Sequence, residues 1–321
     1  MNRSLFRTAV VLTAVLALAL PVFAKDDALS LVPANAVTVG MVKLREMRSS
    51  PLSSMLFEQT DKMSTDGEAE KFLTDAGLAP TKDVDVLVVA TSPRTNLGSD
   101  ADVLVIAEGR FNVERLSAAL ISRGATKKGA YFVIDKEDHH ETGAVAFPSS
   151  SLAIAGTERA VAAALQARAN GGTSFRSANG LGLDLGRIDG DATAWALVDV
   201  TRAARLTRGG TINTGKGQSG EALSAALKTL STVAVWAKDT GNALELGAFD
   251  LSSDSETLEL LEDTVRGALS AMRLAVKDKS PDMVSVLRRF EVTRKDGSIT
   301  IEGSIPASSI RELMAKKRAA K

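Results

Sequence analysis

The stretch Thr232–Leu251, TVAVWAKDTGNALELGAFDL, holds two β-rich runs, 232–238 and 243–251, on either side of Asp239-Thr240-Gly241-Asn242. Asp-x-Gly-Asn between such runs is a strong hairpin signal, because the glycine supplies a positive φ at no steric cost. A helical pattern follows. Ser253 or Asp254 can cap it, and Leu258, Leu261, Val265, Ala268, Leu269 and Met272 recur at helical spacing. Phe290–Arg294 and Ile299–Ile305 then read as a second hairpin around Lys295-Asp296-Gly297-Ser298. Ser308 and Ser309 lead into a helix carrying Ile310, Leu313 and Met314.

The same order is met earlier in the chain. Val84–Ala90 and Asp102–Glu108 are β-rich runs around a turn with Pro93, Asn96 and Gly98. Asn112 can cap the helix that follows, with Val113, Leu116, Leu120 and Ile121 as its apolar stripe. Ala130–Asp135 and Ala144–Phe147 flank a turn, Leu152–Ala155 is a short strand, and Thr157 can cap a helix through Val161, Ala164 and Leu165. Each half also opens alike. Val37–Val42 runs into Leu44, Met47 and Leu52, and Ala192–Val200 runs into Ala203, Ala204 and Leu206. Matched elements lie roughly 140 to 160 residues apart, about one domain length. The expectation is an α+β fold with an internal duplication: two similar domains, 25–178 and 179–321, each a largely antiparallel sheet with helices packed on one face. The glycine-rich stretch Asn170–Asp191 reads as the linker between them.

The N-terminus carries Arg3 and Arg7, an apolar run from Ala9 to Leu20 broken only by Thr13, and then Pro21-Val22-Phe23-Ala24. A basic start, a short apolar stretch and an A-x-A-like end form the signal-peptide pattern, so residues 1–24 are expected to be cleaved. The run is too short for a membrane span, and no other segment of the mature chain is long and apolar enough for one. The chain has no cysteine, which excludes disulfides and a lipid carried on an N-terminal cysteine. A periplasmic or secreted location is expected, with stability resting on the core of the 297 residues beyond Ala24.

Charge is balanced, with 39 basic and 39 acidic residues; without Arg3 and Arg7 the net is −2. That leaves no field to gather nucleic acid. Aromatic residues are 4% of the chain, with one Tyr and two Trp, too few for stacking platforms on bases or sugars.

Three stretches invite a chemical reading. His139 and His140, within Lys136–Glu141, are the only histidines, and closed zinc sites want four ligands while catalytic ones want three. A solvated hairpin turn is the expected role. Gly210-Thr211-Ile212-Asn213-Thr214-Gly215-Lys216-Gly217 nearly matches the phosphate-binding loop, but Gly217 stands where the Mg²⁺-binding hydroxyl belongs and no apolar strand precedes it. It reads as a flexible loop before a helix at Ala222–Leu230. The basic tail Lys316–Lys321 suits the negative end of a helix dipole. No G-x-S-x-G elbow is present. No catalytic, cofactor-binding or metal-binding residue is therefore assigned, and no cofactor is expected.

Several short motifs carry a resemblance. Leu31-Val32-Pro33-Ala34-Asn35-Ala36 steps into a strand, Ser50-Pro51-Leu52 follows, Gly109-Arg110-Phe111 opens a helix, and Ala155-Gly156-Thr157 precedes Ala163-Ala164-Leu165. In these the chain resembles a group of uncharacterised secreted bacterial proteins with a duplicated α+β unit. The resemblance implies that architecture and brings no activity or functional residue with it.

The functional expectation is a non-enzymatic envelope protein that binds or scaffolds another component, protein or polymer. The alternative is a carboxylate-dependent hydrolase of an envelope polymer or peptide. An exposed apolar patch or groove between the halves favours the first; a deep pocket holding two or more carboxylates with shifted pKa favours the second.

Overall fold

A computed structural model describes residues 27–53, 67–94, 101–134, 142–177, 181–206, 230–251, 254–277, 281–295 and 297–319. Its strands are β1 (Thr38–Val42), β2 (Val84–Pro93), β3 (Ala101–Gly109), β4 (Thr126–Lys128), β5 (Tyr131–Ile134), β6 (Gly143–Ser149), β7 (Leu152–Thr157), β8 (Ala194–Asp199), β9 (Thr232–Asp239), β10 (Ala243–Leu251), β11 (Glu291–Lys295) and β12 (Ser298–Pro306). The helices are α1 (Leu44–Ser49), α2 (Gly67–Asp75), α3 (Pro80–Asp83), α4 (Val113–Ser122), α5 (Glu158–Asn170), α6 (Val200–Leu206), α7 (Ser255–Val276), α8 (Pro281–Leu287) and α9 (Ala307–Ala319).

Helices and a large antiparallel sheet make the fold α+β. The strands form one continuous twelve-stranded sheet, in the order β11-β12-β10-β9-β8-β1-β2-β3-β7-β6-β5-β4. On one side of the central β1–β8 pair the order runs β2-β3-β7-β6, and on the other β9-β10-β12-β11. The central pair is antiparallel, with Gly40 opposite Ala196 at its midpoint. The short strand β4 and the strand β11 form the two edges. β4 exposes all three of its residues, including Lys127 and Lys128, and β11 exposes four of its five, including Arg294 and Lys295.

Each strand has two faces, and both are used. The inner face carries Val39, Val88, Ala90, Leu104, Ile106, Ile154, Leu197, Ala234 and Phe249 in a single core that crosses the central pair. It is covered by the 3-10 turns Ala28–Leu31, Phe175–Ser177 and Leu181–Arg187 and by α5, which brings in Ala160, Val161 and Ala164. On the outer face, Leu44, Phe72 and Leu116 from α1, α2 and α4 pack near Leu87 and Ala107. At the other end α7 lays Leu258, Leu261 and Leu269 on Val292, Ile299 and Ile301.

Coverage of one face only was expected; helices instead flank both. The physical reason lies in the strands. Leu87-Val88-Val89-Ala90 is an unbroken apolar run, so successive side chains give both faces something to bury.

The stretch 170–191 is another difference. Far from a loose linker, it seats Phe175 among the most deeply buried side chains, 1% exposed, with Leu181 and Ile188 beside it in the core. The Phe175 amide donates to the Val32 carbonyl at 2.8 Å. Gly182 is required here, since a Cβ would sit 2.0 Å from the Phe175 carbonyl oxygen.

Candidate functional site

The outer face above the central pair is an apolar floor. One row across six strands reads Val105, Val89, Gly40, Ala196, Val235, Ala248, each hydrogen-bonded neighbour opposite the next. The next row reads Ala107, Leu87, Val42, Ala194, Ala237, Leu246. Six strands about 4.8 Å apart make each row roughly 24 Å long. Neither row holds a polar side chain. Helices α1, α2 and α4 occupy one margin and α7 the other.

Between those margins no helix of the described residues covers the floor. Val89 and Val103 are each 39% exposed and Val235 49%. The middle of the floor is also low, because β1 and β8 contribute glycine and alanine. A Cβ at Gly40 would meet only ordinary contacts, the Trp195 carbonyl at 3.6 Å and the Ala196 Cβ at 3.8 Å, so packing inside the sheet does not demand glycine there.

A second feature lies on the inner side of β3, where a cavity of about 450 Å³ opens beside the start of α5. Buried Asp102 is its base. Its Oδ1 accepts from Arg94 Nε at 3.0 Å and from the Thr157 hydroxyl at 3.0 Å, and its Oδ2 accepts from Arg159 Nε at 2.6 Å. Thr157 is the N-cap residue of α5, but its hydroxyl makes no cap bond and goes to Asp102 instead. Gly156 makes that reach possible. Its φ is +150°, and a Cβ there would lie 2.0 Å from the Val103 carbonyl oxygen.

Across the cavity Glu158 Oε1 accepts from Lys128 Nζ at 2.6 Å and from the Tyr131 hydroxyl at 2.9 Å. Burial alone would raise the Asp102 carboxyl, but hydrogen bonds from Arg159, Arg94 and Thr157 overcome it and hold the group below the usual carboxylate range. Lys128 and then Tyr131 lower Glu158 in the same way. Both carboxylates are therefore held ionised. That direction is opposite to the raised pKa an acid catalyst needs near neutral pH.

Other charged groups knit the fold together. Asp85 is clamped by Arg45 and Arg48 of α1, and Arg48 also donates to the carbonyls of Thr81 and Val84 at 3.1 and 2.7 Å. Asp239 accepts from the amides of Ser53 and Gly241 at 3.0 and 2.7 Å, tying the segment that follows α1 to the β9–β10 turn. No three His, Cys, Asp or Glu side chains converge as metal ligands among the described residues.

His139 and His140 lie outside the described residues, as does the loop Gly210–Gly217. Lys316, Lys317 and Arg318 fall within α9. The residues that sequence reading missed are Asp102, Arg94 and Arg159. A signal was available, since Asp102 shares the parity of Leu104 and Ile106, and an acid in a buried register needs a partner.

No family model matches the chain, and no curated protein matches it. Its fold is similar to solved structures of TP0453. Crystal form III gives a TM-score of 0.50 at 10% identity, covering 90% of this chain and 98% of that one. Crystal form I gives 0.48 at 10%, covering 91% and 98%. At that identity the likeness concerns the fold alone.

Proposed function

We propose that this chain is an exported envelope protein that acts by binding rather than by catalysis, holding the apolar side chains of a protein partner on the outer face of the central strand pair. The observation that carries this reading is the pair of wholly apolar rows, with Val89 and Val235 of the first row exposed on either side of the β1–β8 pair. A solvent-facing sheet surface is normally polar, and a contiguous apolar one marks an interaction site. Side chains suit the low glycine and alanine floor better than a hydroxyl-rich polymer, which would lose hydrogen bonds to water there. We also read the chain as a duplication, units 25–178 and 179–321, supported by the matching strand order on either side of β1–β8. The binding face then lies where the two units meet. The hydrolase reading has no comparable support, because Asp102 and Glu158 are both held ionised by basic partners.

The test is a photo-crosslinking residue placed at Val235 in intact cells, with the same residue at Leu183, which is 70% exposed away from the floor, as control. The expected result is a discrete protein adduct from position 235 alone, lost when Val89→Asp is added. An adduct pattern indistinguishable from the control, or adducts only with lipid, would sink this reading.

A further inference from the structure

Helix α7 exposes two large apolar side chains, Leu260 at 69% and Leu274 at 71%. Singly, such residues need no explanation. Their placement does. Leu260, Gly267 and Leu274 are spaced seven apart, close to two helical turns each time, so they fall in one line along the helix. That line runs opposite Leu258, Leu261 and Leu269, which face the sheet. Ala271 lies beside it and is exposed as well. The chain itself gives no reason for Gly267. A Cβ there would meet nothing from the rest of the described residues within 4 Å, and its φ is not positive. Glycine inside a helix is unfavourable relative to alanine. What it does allow is the close approach of another backbone. Charge on α7 divides about the same point. Residues 255–263 hold Glu256, Glu259, Glu262 and Asp263 with no basic residue, a net of −4. Residues 271–279, equally far on the other side of Gly267, hold Arg273, Lys277 and Lys279 against Asp278, a net of +2. Some of these groups are engaged at home: Glu262 with Arg266 and Arg294, Glu259 with Arg294 at 3.6 Å, and Arg273 with the Leu287 carbonyl. Glu256 and Lys277 stand exposed at the two ends.

We infer that this chain forms a twofold dimer through α7, the two helices crossing antiparallel with Gly267 on Gly267 and Leu260 of each copy on Leu274 of the other. A face with leucines equally far from a central glycine, and opposite charge at its two ends, is complementary to itself when reversed. Twofold symmetry sets that condition, because residue i then meets j wherever j meets i. The glycines let the helix axes approach, and the leucines lose their exposure to water. The acidic first half of each helix lies along the basic second half of the other. A parallel pairing would set acid against acid, so charge selects the antiparallel arrangement. One pair of helices gives an interface at the small end of the specific class, so the dimer is reversible. It uses the face of α7 turned away from the sheet and does not depend on the apolar floor.

The chain has no cysteine, so introduced cysteines report their positions without background. Leu260→Cys and Leu274→Cys are made separately in residues 25–321, and thermal unfolding checks that each keeps the fold. Mixed under mild oxidation, the two variants should join by a disulfide. Neither should join to itself to a comparable extent, because like positions lie about 21 Å apart along an antiparallel pair. Leu183→Cys, at a site 70% exposed outside α7, should join Leu274→Cys no faster than random collision allows. With no cysteine introduced, residues 25–321 should sediment as a reversible monomer–dimer equilibrium. Leu260→Asp, which puts a charge where a leucine would be buried twice over, should raise the dissociation constant at least about tenfold. A chain still monomeric at about 1 mM would overturn the assignment. So would Leu260→Cys joining itself as readily as it joins Leu274→Cys, or a dimer in which the mixed pair fails to form.

Discussion

Asp250 shows how much a single side chain can conceal from its sequence context. It lies in β10, buried on the outer face, and accepts from the Ile299 amide at 3.1 Å. Burial raises its pKa, and the single backbone donor only partly offsets this. A carboxyl whose folded pKa lies above its unfolded one favours the native state while it is protonated. That contribution is whole below the ordinary carboxylate range and is lost as pH rises through the raised value. Asp250→Asn keeps an acceptor for the Ile299 amide and removes the charge. It should raise the melting temperature at pH 7 and flatten the dependence on pH above the carboxylate range; a lower melting temperature at pH 7 would contradict this. Phe175 conceals its role for the opposite reason. Nothing in Gly171-Gly172-Thr173-Ser174-Phe175 announces burial, because its contacts with Val32 and Leu29 are distant in sequence. Phe175→Ala should cost about 3–5 kcal/mol, read from urea unfolding. Gly182→Ala, which drives a Cβ into the Phe175 carbonyl, should cost about 1–3 kcal/mol. The Asp102 site was partly legible from the parity of one acid. Its arginines were not, since Arg94 and Arg159 are brought to it by a turn and a helix whose approach no spacing reveals.

At the scale of elements, local chemistry read well where it was self-contained. The Asp239–Asn242 turn gives β9 and β10 as 232–239 and 243–251, within one residue of the reading from turn chemistry. Asn112 and Asp254 both cap their helices as expected, Asn112 accepting from the Arg115 amide and Asp254 from those of Glu256 and Thr257. Asn112→Ala should therefore cost about 1 kcal/mol, seen as a lower urea midpoint with an unchanged slope. Elements too short to show a period were not legible: the three residues of β4 and the 3-10 turn Ala28–Leu31 carry no repeat to detect. Thr157 looked like a cap by composition, yet the buried Asp102 beneath it is the stronger competitor for its hydroxyl. Which faces the helices cover also could not be read. Strands with apolar residues at every position give both sides something to cover but do not say which element covers each.

For the molecule as a whole, the decisive contact is β1 against β8. Val39 and Leu197 lie opposite one another there, and the inner core runs through them without a break. Residues 25–321 together should therefore unfold in one calorimetric transition, and two separated transitions would show the halves to be independent. Residues 25–178 alone would leave β1 as a bare edge with five residues, Thr38–Val42, seeking a partner. That fragment should self-associate in sedimentation, most simply through a second β1; a stable monomer would argue against it. In the intact chain the described sheet ends instead on β4 and β11. These outermost strands carry Lys127 and Lys128 on one side, Arg294 and Lys295 on the other. Two molecules approaching edge to edge would have to desolvate Lys127 and Lys295 and disturb the ion pairs of Lys128 with Glu158 and of Arg294 with Glu259 and Glu262. A twelve-stranded sheet offers two edges to a growing fibril, and charged outermost strands oppose that growth.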